Sequence, residues 1–263
     1  MGNAVHLFSF WTGPISWLEH MCINSMLAQG HTLAIYSYNP AELGSIARRV
    51  QILDAASVLP LTSEVARQLS VRASLTTNVL RYHLLERQAG TWVDLDVLLL
   101  KPLPEADYVL AYEDQAHTWI NGAILRLPAG CPLLRDLIDF CDRRPVIGPW
   151  WPLSRRLKHQ TLAAIGRPIP PEKCKWGVFG PRALTYFARR RGLDHHAREP
   201  ESFYPIPYGR TADLLDVSVD ITQYFTSDTV AVHLWANRLR KFISNDRKPP
   251  PETWLGRYAA MHA

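Results

Sequence analysis

Residues 75–104 read LTTNVLRYHLLERQAGTWVDLDVLLLKPLP. Apolar residues recur at helical spacing through the first half, which predicts a helix over residues 75–90 closed by Gly90. The helix runs straight into a buried strand over residues 91–100, which Lys101-Pro102 ends. Two aspartates, Asp94 and Asp96, interrupt that apolar run. A buried carboxylate is costly unless it is paired or bound to a metal. Side chains alternate along a strand, so Asp94 and Asp96 are expected on one face and Leu95 on the other. Two like charges about 7 Å apart on one face favour a cation between them. The competing reading, two surface carboxylates on an edge strand, fits poorly with such apolar flanks.

Outward from this stretch, strands and helices alternate. Residues 4–10, AVHLFSF, predict a strand that ends in WTGP. A helix is expected over residues 14–29, starting on Pro14 and stopping at Gly30. Strands follow at 31–38 and 50–55, then at 107–113 and 120–127. Helices are expected near 131–142, 152–166 and 180–191. A late strand, TVAVHLW at 229–235, precedes a basic segment. Such alternation predicts an α/β fold with a largely parallel sheet, whose ligands gather at the carboxyl ends of the strands. The chain of 263 residues reads as a single domain, with a core at 1–130, a helical and loop region at 131–228 and a returning strand with basic segment at 229–241.

Composition narrows the class. A hydrophobic content of 47% with 20% charged residues is ordinary for a soluble globular chain. No apolar run approaches the roughly 18 residues of a membrane helix. The start, MGNAVHLFSF, has neither a basic region nor a cleavage site, and His6 stands where a myristoylation signal wants Ser or Thr. The expected location is therefore cytoplasmic. Four scattered cysteines, Cys22, Cys131, Cys141 and Cys174, read as reduced thiols packed as small apolar groups. The net charge is +5, and basic residues cluster at 48–49, 143–144, 155–158, 189–191 and 238–241. No recognition module accompanies them, so nucleic acid is not the expected partner. An anionic membrane surface at the inner face is the expectation they leave open.

Residues 75–104 resemble the core motif of family 32 glycosyltransferases and their capsular-polysaccharide relatives, in which a helix and glycine lead into a strand carrying Asp-x-Asp. The catalytic domains of the clostridial glucosylating toxins are similar in the same region. Three further places match in order. FWTGP (10–14) resembles the opening tryptophan-x-glycine, NGAILRLPAGCPLL (121–134) the strand and helix after the aspartates, and GPRALT (180–185) with VHLWANRLRK (232–241) the C-terminal signatures.

The resemblance implies a GT-A fold, with a mostly parallel central sheet flanked by helices and a small helical and loop appendage. It also implies a nucleotide diphosphate sugar donor, a UDP-linked hexose in kind, a manganese or magnesium ion, and retention of configuration. The acceptor expected is a saccharide or lipid-linked saccharide. Asp96 would bind the metal directly, and Asp94 would reach the ribose or the metal through water; hard oxygen ligands suit these ions. Residues 1–130 would hold the nucleotide sugar and 131–228 the acceptor.

Further site residues follow. Asn78 and Arg81, three apart, share a helix face and would meet the donor. The family places aspartate where Asn78 stands, and often two glycines where this chain has Ala89-Gly90. Arg81 reads alternatively as an ion pair with Glu86. Trp11, beside Thr12, would stack on the nucleobase, or else is a core tryptophan at a strand end. Asn121 would bond sugar hydroxyls, or serve as a turn residue. His233 joins the aspartates as a metal ligand, or is a satisfied core histidine; a ligand imidazole must be neutral, so activity would fall as pH drops through the low-6 range. Arg238 and Lys241 would neutralise the diphosphate. Two other classes stand beside this reading: a toxin-like enzyme acting on a protein side chain, and a non-catalytic nucleotide-sugar-binding module.

Overall fold

Residues 4–87 and 90–262 are described by the computed structural model. The Met1-Gly2 start and Ala89 lie outside the described residues. The first apolar run forms β1, His6–Phe10. Helix α1, Trp17–Ala28, follows, then β2, Thr32–Ser37, and β3, Gln51–Asp54. Next come α2, Ser63–Arg87, and the short strands β4, Thr91–Val93, and β5, Val97–Leu99. Strands β6, Val109–Tyr112, and β7, Ile120–Arg126, lead to α3, Pro132–Asp142, α4, Leu153–Ala164, and α5, Pro181–Arg190. The chain ends with β8, Ala231–His233, α6, Ala236–Leu239, and α7, Trp254–Met261.

The six-stranded sheet has the order β3-β2-β1-β4-β7-β6. The pairings among β3, β2, β1 and β4 are parallel, whereas β7 runs antiparallel to both β4 and β6. Strand alternation divides the core in two. Leu7, Leu33, Ile35 and Val93 face the cluster that holds Met21 and Ile23 of α1. Phe8, Phe10, Tyr36 and Trp92 face the opposite cluster, with Leu80 and Leu84 of α2 and Leu137 of α3. The result is a mixed α/β layering, helices on both faces of a mostly parallel sheet, as the alternating pattern predicts. No helix among the described residues is long and apolar enough to cross a membrane. All four cysteines are buried free thiols.

Two helix expectations are corrected. Helix α1 starts at Trp17, not at Pro14, because Ser16 and Glu19 form a capping box: Ser16 Oγ accepts from the Leu18 N–H at 3.4 Å and Glu19 Oε2 accepts from the Ser16 N–H at 2.8 Å. Helix α2 begins at Ser63 rather than at residue 75, and extended Arg72 (φ −158°, ψ 78°) splits it. Its first half buries only Val65 and Gln68, too thin a stripe to read from sequence. Gly90 matters through space: a Cβ there would stand 2.8 Å from the His6 carbonyl oxygen and 2.7 Å from the Phe8 ring. Its bare backbone lets β4 lie against β1.

Candidate metal centre

The aspartates do not sit within one strand. The chain leaves the large sheet after Val93, turns at residues 94–96 and enters the small antiparallel pair β5–β8. The Asp94 N–H still bonds the Ala123 carbonyl of β7 at 2.7 Å, while the Val97 N–H closes the turn on the Asp94 carbonyl at 3.2 Å. The expected face alternation is thus the wrong cause. The carboxylates converge because the chain changes sheets between them. Leu95 meanwhile drops into the core, as expected.

The same switch recruits the late strand. Val97 pairs with His233, and the Leu234 N–H bonds the Asp96 carbonyl at 2.8 Å. His233 Nε2 then lies 3.2 Å from Asp96 Oδ1, and the Ala236 N–H donates to Asp96 Oδ2 at 2.9 Å. Ligand atoms of Asp94, Asp96 and His233 all lie within 4.8 Å of one another. Trp235, in the left-handed region at φ 52°, turns the chain out of β8. Its indole N–H bonds the Ile206 carbonyl at 2.8 Å and its ring lies 4.1 Å from the His233 imidazole. A bulky residue at positive φ is strained, and such strain concentrates at functional sites.

Electrostatics separate the two carboxylates. Burial would raise the Asp96 pKa, but the His233 charge, its hydrogen bond and the Ala236 N–H more than reverse that, to about 2. For Asp94 burial dominates; Arg81 opposes it, Asp96 adds like-charge repulsion, and the net shift is upward. Burial pulls the His233 imidazolium down, while Asp96, Asp94 and Glu113 together lift it above its ordinary 6.5. The metal-free imidazole therefore holds its proton to higher pH than an ordinary histidine. The buried His233 Nδ1 has no hydrogen-bond partner among the described residues. Two carboxylates that repel and an imidazole with an unused nitrogen fit a divalent cation.

Arg81 is the fixed cation beside this group. Its side chain is only 6% exposed. One Nη donates to Asp94 Oδ1 at 2.8 Å, the other to Asn78 Oδ1 at 2.6 Å, and the guanidinium lies 4.8 Å from the Trp92 ring centre. The ion pair is thus with Asp94 rather than with Glu86, whose carboxylate accepts from the Gly130 N–H at 2.7 Å. Asn78 also donates to the Ser74 carbonyl at 2.6 Å. Gly122 makes room for the guanidinium: a Cβ there would meet Arg81 Nη1 at 2.6 Å.

These residues line a cleft of about 570 Å³, together with Trp11, Thr12, Asn121, Trp235 and Arg240. Asn121 lies within β7 rather than in a turn, donating to Glu113 Oε2 at 2.7 Å and accepting from the Ala123 N–H at 2.8 Å. Arg238 and Lys241 are not among the cleft-lining residues. Arg238 lies 5.1 Å from the Tyr208 ring centre, and Lys241 is exposed. Arg240 takes their expected place, ion-paired with buried Glu19 and 6.0 Å from the Trp11 ring centre. Sequence reasoning missed it, because which basic residue of 238–241 faces the cleft depends on where β8 ends.

A larger pocket of about 1050 Å³ adjoins the cleft and shares Trp176, Trp235 and Asn237 with it. Tyr204, Tyr208, Tyr224 and Phe225 give it aromatic walls, and Glu113, Asp114 and Glu201 are its charged residues. No Lys, Arg or His is among the described residues that line it.

No family model matches the chain, and no curated protein matches it. Among solved structures, a transferase mutant with cysteines replaced by serine is similar in part, at 9% identity over 67% of this chain and 88% of that chain, with a TM-score of 0.32. A likeness at that level carries no argument about function.

Proposed function

We propose that the chain is a metal-dependent glycosyltransferase of the GT-A type, as its resemblance to family 32 implies. In this reading it moves a hexose from a nucleotide diphosphate sugar, UDP-linked, to a hydroxyl of a saccharide or lipid-linked saccharide. The observation that carries the reading is the meeting of Asp94, Asp96 and His233 in a cleft that also holds Trp11, Asn78 and Arg81. These are the motif residues of the resemblance, drawn from segments far apart in the chain.

Asp94, Asp96 and His233 would hold manganese or magnesium. When bound, that ion supplies positive charge to a diphosphate leaving group. The chain's own part is positioning. Trp11 offers a flat, half-buried ring for a nucleobase. Arg81 and Arg240 supply fixed cations on the cleft wall, where charge-assisted bonds to phosphate oxygens are strong. The larger pocket takes the acceptor, whose sugar rings would pack on Trp176 and Tyr208. Glu113 lies in that pocket, bonded through Oε2 to Asn121, and burial pushes its carboxyl upward. Its position suits it to accept a hydrogen bond from an acceptor hydroxyl.

A thermal-shift screen of nucleotide sugars in manganese buffer tests the reading. UDP-sugars should stabilise the protein more than GDP- or CMP-sugars do, and only with the metal present. Equal stabilisation with and without manganese would remove the metal from the account.

A further inference from the structure

Helix α4 exposes two of its three leucines. Leu153 is 67% exposed and Leu157 is 51% exposed, and Ile165, just past the helix end, is 61% exposed. Leu153 and Leu157 are four apart and share one face with the exposed Gln160, Thr161 and Ala164. Only His159 of α4 is fully buried; it packs against Trp151 at 4.7 Å and its Nδ1 lies 3.1 Å from the Val146 carbonyl oxygen. Two leucines are therefore turned to solvent while Leu162 and Ala163 are half-buried.

Charge accompanies that face with a single sign. Residues 143–171 contain six Arg or Lys and no Asp or Glu. Arg156 and Lys158 flank the leucines, and with Arg167 they are exposed and form no ion pair among the described residues. Arg155 is turned back, 4.0 Å from the Trp151 ring centre. Two exposed leucines bordered by unpaired cations suit a helix lying in the plane of a membrane interface, the leucines in the acyl boundary and the cations at anionic headgroups.

We infer that α4 docks the protein peripherally on an anionic lipid surface. The inference stands apart from the metal centre and does not depend on the activity proposed for it. Charge selects the occupant: a second copy of this chain would set like charges against each other across the contact, and a neutral bilayer would leave the cations unused.

Co-sedimentation with sucrose-loaded vesicles tests it, comparing phosphatidylcholine alone with phosphatidylcholine containing phosphatidylglycerol. The full chain should sediment with the anionic vesicles and remain in solution with the neutral ones. Binding should fall as salt shrinks the screening length from about 10 Å at 0.1 M to about 3 Å at 1 M. Leu153→Glu with Leu157→Glu, and separately Arg156→Glu with Lys158→Glu, should each lower partitioning roughly tenfold or more. All four side chains are exposed, so circular dichroism and melting should be unchanged. Three results would overturn the inference: no preference for anionic vesicles at low salt, retained binding in both double variants, or a wild-type dimer that the leucine substitutions dissolve. Equal binding to a homopolymeric RNA that needs the charges but not the leucines would overturn it as well.

Discussion

His233 Nε2 stands 3.2 Å from Asp96 Oδ1, joining the late strand to the turn that carries the aspartates. In the metal-free protein the pair is an ion pair while the imidazole is protonated, and it becomes a ligand pair once the proton is given up. Each consequence below follows from that dual role or from the cation Arg81 beside it.

Asp96→Asn keeps the shape and an acceptor for the Ala236 N–H while removing the charge. Manganese affinity should fall by roughly 100-fold or more, since loss of even an outer-shell partner costs 10–100-fold. His233 then faces burial without its main counter-charge, so its pKa should drop below the wild-type value. Calorimetric titration with manganese, and the imidazole titration followed by NMR, measure the two effects.

The pH dependence has opposite signs with and without metal. In the metal-free protein the raised His233 pKa contributes stability that is fully present below 6.5 and is lost as pH rises through the folded value. Metal binding must displace that proton, so manganese affinity should fall about tenfold per pH unit on the acid side, with the bend above 6.5. Asp96, at about 2, is ionised throughout this window and adds no slope. His233→Gln should flatten the profile; an unchanged bend in that variant would assign the proton to another group.

Gly122→Ala probes the seat of Arg81. The new methyl would meet Nη1 at 2.6 Å, and the guanidinium is pinned by Asp94 and Asn78. Overpacking of this kind costs about 1–3 kcal/mol. In an Arg81→Ala background the clash has no partner, so the same substitution should be nearly neutral. A double-mutant cycle by urea denaturation reads the coupling; additive losses would show that Gly122 is constrained by something else.

Asn78→Asp sets a second carboxylate against Arg81 and removes the donor to the Ser74 carbonyl. The lost bond and the gained charge pair offset each other, so stability should move by no more than about 1 kcal/mol. Relative use of the common UDP-hexoses should move more than that. An unchanged donor profile would place Asn78 outside the donor pocket.

Much of the fold was legible because β1, β2 and β7 are short apolar runs, α3 carries a helical period, and punctuating residues bound the elements, as Gly30 does between α1 and β2. What sequence could not show was the turn at residues 94–96. An apolar run with two aspartates reads as one strand, and only the pairing of Val97 with His233 reveals that it belongs to two sheets. The meeting of Asp94, Asp96 and His233 was expected on the resemblance, and alternation gave the wrong reason for it. Arg240 and Glu113 escaped notice because their positions depend on where β8 ends and on how β6 and β7 pair, both tertiary facts. The exposure of Leu153 and Leu157 on α4 was hidden for a related reason, since a helical period does not say which face turns inward.

The most direct test of the central claim is release of UDP from a UDP-hexose by the purified chain, measured with manganese, with chelator and in the Asp96→Asn variant. The account predicts slow release that requires manganese, stops with chelator and is lost in the variant while its fold persists. Release that continues in chelator, or at the wild-type rate in Asp96→Asn, would contradict it.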